Sequence, residues 1–326
     1  MALHGAEHNS VPPGAVEHEL VAVDGVRLRA ARWDARQPRA TVVLLGGRAE
    51  FIEKYYETVG DLNARDLTVA TMDWRGQGGS ERQLRDPFKG HIDDFALYER
   101  DFVALRRGVL EPHCPRPWIG LCHSMGAAVM LRIAHEGRCP FERLVLTAPM
   151  IGLSGLPEPR YARWLAEALD SAGLGGAYAP GAGGRRPYSF GPFENNALTS
   201  DPERYARIGD ALRAHPRLGL GGPTIGWVHA ALRLMREFAE PDYPRAIATP
   251  TLVIASGADR VVDTRAIERF ATRLRAGNLI VVDGARHEIM LERDGYRELF
   301  LKAFDAFAPG VESDPPAFTR PLRAMT

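Results

Sequence analysis

The sequence predicts an α/β fold: a mainly parallel sheet flanked by helices, with a helical cap inserted late in the chain. Three observations predict it. Short apolar runs rich in β-branched residues recur at 41–45, 67–72, 118–122, 144–147, 251–255 and 279–282, the length and composition of buried strands. Helical stretches separate them, the alternation that yields parallel strands with helices on both faces. Between residues 151 and 240 that rhythm lapses and helical periodicity takes over.

In chain order, residues 1–15 are polar with Pro and Gly and read as a loose leader. Residues 16–33 alternate apolar and polar around Asp24-Gly25, a β-hairpin pattern. The run TVVLL (41–45) enters Gly46-Gly47, and a helix follows over 52–64. LTVATM (67–72) leads into the glycine-rich turn DWRGQGGS (73–80), then a helix over 93–110. The strand at 118–122 precedes a helix over 125–136, which Gly137 closes. In the insertion, Tyr161, Trp164, Leu165 and Leu169 share one helical face, Asp201-Pro202 reads as an N-cap and first helical residue, and Thr224 caps a helix to about residue 238. Helices are expected again over 264–274 and 295–307. The expected organisation is a core of 16–150 and 241–308, a cap of 151–240, and loose termini at 1–15 and 309–326.

Composition narrows the function. The 326 residues carry 41 basic and 41 acidic side chains, so no excess of cations marks a nucleic-acid face. Three cysteines (Cys114, Cys122, Cys139) argue against a disulfide framework and fit a reducing compartment. No CxxC or HExxH occurs, so no metal and no cofactor is expected. The first residues lack the charge-then-apolar pattern of a signal peptide, and no apolar run reaches membrane-spanning length. The expected place is the cytoplasm, with peripheral contact at the inner membrane and oligomeric state left open.

In parallel sheets the ligand lies beyond the carboxyl ends of the strands, so the residues that follow strands are the candidates. Ser124 stands in GLCHSMGAA (120–128) between a strand and a helix. Such a turn lifts its central residue into an exposed, strained position and needs small flanking residues; Cys122 and Gly126 qualify, although Cys122 stands where G-x-S-x-G has glycine. Read alone, the segment favours Ser124 as a nucleophile, with a plain helix cap as the alternative. A serine nucleophile needs a base. His287 follows the strand at 279–282, whereas His123 is expected to point away and pack, and His91, His113, His135, His215 and His229 lie away from strand ends. The acid that orients the base is expected at Asp259, after TLVIASGA. Asp263 fits a helix cap instead, and Asp283 a turn. The oxyanion donors are then the amide of Met125 and, after Gly46-Gly47, that of Arg48.

With these residues placed, the chain resembles the lysophospholipase and monoacylglycerol lipase group of α/β-hydrolases, the bacterial lysophospholipases above all. The resemblance rests on GRAEFIEKY (47–55), MDWRGQGGS (72–80), GHIDDF (90–95), HSMG (123–126), LTAPM (146–150), GGPTIGWV (221–228), ADRVVD (258–263) and GARHEI (284–289). It implies Ser124 as nucleophile, Asp259 as acid, His287 as base, and the Arg48 and Met125 amides as the oxyanion site. Glu50 and Lys54 match a polar pair beside the oxyanion loop; the plainer reading is an i, i+4 surface pair worth about 0.3–0.5 kcal/mol. Cys122 and Ala127 depart from glycines of the pattern, and residues 172–186 match poorly.

The expected activity is serine carboxylester hydrolysis, releasing one acyl chain from a lysophospholipid or a monoacylglycerol. Trp164, Ile225 and Trp227 are candidate walls for the acyl chain, and Arg185 and Arg186 candidate contacts for a lipid phosphate. A broad carboxylesterase or a lysolipid transacylase would use the same three side chains, and a lipid-binding scaffold is the alternative outside enzymes. Dehalogenase and epoxide-hydrolase chemistry would want a carboxylate at position 124, and no acidic site for a peptide amino terminus stands out.

Overall fold

A computed structural model describes residues 2–155, 159–182, 184, 187 and 191–308. The opening hairpin forms as β1 (Ala15–Val21) and β2 (Arg27–Trp33), with Gly25 taking the positive φ of 84° that its turn requires. Then follow β3 (Ala40–Leu45), a 3₁₀ turn (Ile52–Tyr55) running into α1 (Tyr56–Asn63), and β4 (Leu67–Met72). The helix expected over 93–110 is shorter: α2 (Ala96–Leu105) passes through one π turn (Arg106–Leu110) into the single turn α3 (Glu111–His113). Next come β5 (Trp118–His123), α4 (Ser124–His135) and β6 (Arg143–Thr147). The insertion carries α5 (Pro159–Leu169), α6 (Pro202–Ala214) and α7 (Ile225–Ala239). The chain returns through β7 (Thr251–Ser256), α8 (Thr264–Ala271), β8 (Gly277–Val282) and α9 (Asp294–Phe307).

The eight strands form one sheet in the order β1-β2-β4-β3-β5-β6-β7-β8. β2 runs antiparallel to both neighbours, and the pairs from β4 through β8 are parallel. Strand alternation divides the core between the two faces. Val43 and Leu45 join a cluster with Phe102 of α2, Val129 of α4 and Phe270 of α8. Val42 and Leu44 join one with Val59 of α1 and Phe304 of α9. β3 and β5 are buried along their whole length, which is why they read as unbroken apolar runs. Asp201, Thr224 and Asp263 each accept a hydrogen bond from the first turn of the helix they cap. The parallel strands share one direction, so β3, β5, β7 and β8 deliver their following loops to a common edge of the sheet.

Candidate active site

Three side chains meet at that edge. Ser124 Oγ lies 3.0 Å from His287 Nε2, and His287 Nδ1 lies 2.7 Å from Asp259 Oδ2. The tautomer that serves both partners carries its proton on Nδ1, donated to Asp259, and leaves Nε2 to accept from the serine hydroxyl. Ser124 has φ of +50°, a strained conformation for a residue with a side chain. The turn is held from both sides: Met150 N donates to Ser124 O at 3.1 Å, and Gly126 lies so close to β3 that a Cβ there would stand 2.6 Å from the carbonyl oxygens of Leu45 and Gly46. At position 122 the side chain instead points into the buried core beneath the sheet, so the turn tolerates cysteine there.

Charge organises the site. Asp259 Oδ1 accepts from the amides of Val261 (2.7 Å) and Val262 (3.0 Å), so each carboxylate oxygen has a partner. Burial would raise the Asp259 pKa, but His287 and these amides hold it below the usual carboxylate value. Burial alone would lower His287; the Asp259 carboxylate outweighs it and raises the imidazole above its ordinary value.

The loop after β3 supplies the second half. Glu50 accepts from Gly47 N and from Tyr55 Oη, so the Gly47 amide is engaged and Arg48 is the next along the loop. Gln77 Nε2 donates to Gly47 O (2.7 Å) and Glu50 O (3.2 Å), and Ala49 N donates to Gln77 Oε1 (3.2 Å). Met125 lies in the first turn of α4, where backbone amides have no partner within the helix. Arg48 reaches the insertion: Nη2 donates to Gly221 O at 2.5 Å, and the guanidinium sits 5.3 Å from the Trp227 ring centre.

Glu50 and Lys54 are not a surface pair. Both are buried, Glu50 in the loop after β3 and Lys54 in the 3₁₀ turn that follows. Lys54 Nζ donates to Glu50 Oε1 (2.7 Å) and to Glu288 Oε1 (2.5 Å). Burial would raise Glu50, yet Lys54 and His123 hold it near 2. Burial dominates at Glu288 and raises its pKa against the pull of Lys54. His123 does not simply pack away: its ring centre is 4.8 Å from that of His287, its Nε2 is 3.6 Å from Glu50, and burial lowers its pKa to about 4. Glu288, Gln77 and Tyr55 were not singled out in the sequence; the one local signal was a carboxylate directly after His287.

The insertion grips the loop that carries His287. Glu292, fully buried, accepts from Arg286 N (2.8 Å), Ser200 N (3.0 Å) and Ser200 Oγ (2.5 Å). Glu288 N donates to Leu198 O at 2.8 Å, and Arg286 Nη1 to the carbonyls of Asn196 (3.2 Å) and Thr199 (2.9 Å).

Ser124 and His287 line a cavity of about 620 Å³ whose apolar walls include Met150, Leu153, Leu198, Leu212, Leu220 and Trp227. Of the candidate walls, Trp227 lines it. Ile225 is buried at the start of α7 without reaching the cavity wall, and Trp164 is 69% exposed on α5. Its helical face was read as facing inward, but α5 buries Ala166 instead and turns its aromatic side outward. Arg185 and Arg186 lie outside the described residues. Among the described residues no group of His, Cys, Asp and Glu is arranged to hold a metal ion, and no helix is long and apolar enough to cross a membrane.

Comparisons with known proteins fit this geometry. The model of the Hydrolase_4 family (serine aminopeptidase, S33) matches residues 36–294. Lysophospholipase L2 of Escherichia coli K12 is 34% identical over 304 residues, covering 89% of this chain and 86% of that protein. A monoacylglycerol lipase of Mycolicibacterium smegmatis is 28% identical over 284 residues, covering 85% and 91%. A carboxyl esterase of Bacillus coagulans, solved with glycerol, superposes with a TM-score of 0.73 at 19% identity over 90% of this chain and 98% of its own, a likeness of fold. The chain belongs to the serine aminopeptidase S33 family and is a serine hydrolase of the α/β-hydrolase fold.

Proposed function

We propose that the enzyme cleaves the carboxylic ester of a lysophospholipid or a monoacylglycerol through an acyl-enzyme on Ser124, with residues 151–240 as its cap. One observation carries this reading: the hydrogen-bonded chain from Ser124 through His287 to Asp259 opens on a cavity with mainly apolar walls. The named activities of the E. coli and M. smegmatis relatives support the substrate class.

Ser124 Oγ attacks the ester carbonyl while His287 Nε2 takes its proton. The carbonyl electrons move to the oxygen, which accepts hydrogen bonds from the Met125 and Arg48 amides; one such donor is typically worth about a hundredfold or more in turnover. Collapse expels the glycerol-side alkoxide, which takes the proton from His287, and the acyl group stays on Ser124. A water then gives its proton to His287 and attacks the acyl carbonyl. Serine regains the proton as the fatty acid leaves. The cavity walls would hold the acyl chain, and the Glu50–Lys54–Glu288 group would fix the loops on either side of the reacting carbon.

Peripheral membrane contact belongs to the same reading. Tyr161, Trp164 and Leu165 stand 59%, 69% and 48% exposed along one side of α5, and an outward apolar stripe of this kind lies down on a lipid interface.

The test is fatty-acid release from lysophosphatidylethanolamine, lysophosphatidylcholine and monooleoylglycerol, with Ser124→Ala as control. Release that vanishes in the variant is expected. Release from none of the three by folded protein would overturn the lipid assignment, and release that survives Ser124→Ala would overturn the mechanism.

A further inference from the structure

Leu212, Gly219 and Leu220 wall the active-site cavity, and between them in the chain residues 214–218 line a second cavity of about 710 Å³ that the reaction does not use. Its charged lining has one sign. Arg29, Arg82, Arg85 and Arg217 contribute to it beside the imidazoles of His4 and His215, and no acidic side chain does among the described residues. Arg29 is balanced by buried Glu53 and Asp73. The other three arginines have no such balance among the described residues. Arg82 is partly buried and donates only to backbone carbonyls: Nε to Pro87 O at 2.9 Å, and the two other nitrogens to Ser80 O and Arg217 O. Arg85 and Arg217 are exposed, and neither has an ion pair among the described residues.

Burial lowers the Arg82 pKa to about 10, with Asp73 opposing and Arg29 adding to the fall. The His4 and His215 rings stack with centres 4.2 Å apart, and burial, then His215 and Arg29, lower the His4 pKa. Cations held together without a counter-charge repel one another, and an anion among them gains charge-assisted hydrogen bonds. The remaining lining is largely apolar, with Leu84 and Leu218 among it. The volume is that of a pocket for an organic molecule, well beyond what a bare inorganic ion fills.

We propose that this cavity is a second ligand site, which takes an amphiphilic anion: a carboxylate or phosphate head facing Arg85 and Arg217, and an apolar body against Leu84 and Leu218. The head chemistry is shared by free fatty acids and by phosphate monoesters of lipids.

The experiment is calorimetric titration of the full chain with decanoate, decyl phosphate, decanol and inorganic phosphate below their micellar concentrations. It is repeated on the double variant Arg85→Gln/Arg217→Gln, whose thermal midpoint should match the parent because both side chains are exposed. The active-site cavity is common to both proteins, so their difference reports the second cavity. At least one amphiphilic anion is expected to bind the parent about tenfold more tightly than the variant, with the gap narrowing in high salt. Discrimination of decanoate alone assigns the head as carboxylate, and of decyl phosphate alone as phosphate. Equal binding of both anions to the two proteins overturns the proposal, as does decanol discriminating between them as strongly. Inorganic phosphate binding as tightly as decyl phosphate overturns the apolar half of it.

Discussion

Two stretches of the insertion treat the core in opposite ways. Residues 196–204 are tied to it through buried polar groups: Glu292 and Arg286 hold the chain at Asn196, Thr199 and Ser200, and Arg204 on α6 pairs with Glu57, Asp201 and Asp294. Helix α5 rests on α7 and turns Tyr161, Trp164 and Leu165 to solvent. The first stretch fixes geometry, since directional hydrogen bonds in a low-dielectric setting hold a loop in place. The second turns apolar side chains of α5 to solvent, which under the proposed function suits contact with lipid. Under the proposed function, one insertion combines a brace for the His287 loop with an outward apolar face.

The largest effect should come where the brace delivers its result, at His287. Replacing Asp259→Asn keeps the size of the side chain but removes the charge that raises the imidazole. By analogy with serine-protease triads, kcat should fall about 10⁴-fold. The pH profile gives the sign. The proposed mechanism needs neutral His287, whose pKa is raised by Asp259 against the opposing effect of burial, so kcat/KM should climb with pH through a midpoint above that of an ordinary histidine. In Asp259→Asn the midpoint should move to lower pH. The same shift links to stability: the raised histidine stabilises the fold below its unfolded pKa, and that contribution is lost as pH rises through the folded value. A profile unmoved by Asp259→Asn would remove Asp259 from the base's environment.

Next in size is the brace itself. Glu292→Ala strips the partner from the part-buried amides of Arg286 and Ser200 and from the Ser200 hydroxyl. Unsatisfied buried donors cost about 1–3 kcal/mol each, and solvent partly reaches these, so urea unfolding should show a loss of about 2–3 kcal/mol. Because the loop carries His287, kcat should fall about ten- to a hundredfold with little change in KM. If stability falls and kcat holds, the brace is structural only.

The brace also shows what the sequence could and could not convey. Ser124, Asp259 and His287 were legible because each follows a strand, and buried parallel strands announce themselves as β-branched runs. Glu288 was not, since its partner Lys54 is 234 residues away and no local pattern joins them. Glu50 and Lys54 were visible as an i, i+4 pair, but spacing alone does not say which way a 3₁₀ turn faces. β8 starts at Gly277, earlier than expected, because it is an edge strand with exposed residues and Gly-Asn opening it. Trp164 misled for a related reason: an aromatic stripe fixes that a helix has an apolar face, not what the face meets.

Arg204→Met is a smaller test of the anchored stretch. It removes ion pairs to Glu57, Asp201 and Asp294 from a side chain only 11% exposed. Asp294 is itself mostly exposed, so solvent screens part of the loss, and about 1–2 kcal/mol is expected. Added salt should narrow the gap to the parent, unlike the Glu292→Ala gap, which rests on hydrogen bonds to neutral donors.

The smallest effect on the folded protein should come from α5. Trp164→Ser changes an exposed side chain, so unfolding free energy should move by no more than about 0.5 kcal/mol. Hydrolysis of a soluble short-chain ester should be unchanged, because Trp164 does not reach the cavity. Sedimentation with phospholipid vesicles should weaken several-fold, since an interfacial tryptophan contributes buried apolar area. Turnover of substrate presented in those vesicles should fall with it. A drop on the soluble ester as well would place Trp164 in the path to Ser124 and erase the division between the two stretches. Unchanged vesicle binding would leave α5 without its lipid role while sparing the brace, because the two stretches share no hydrogen bond through which one loss could reach the other among the described residues.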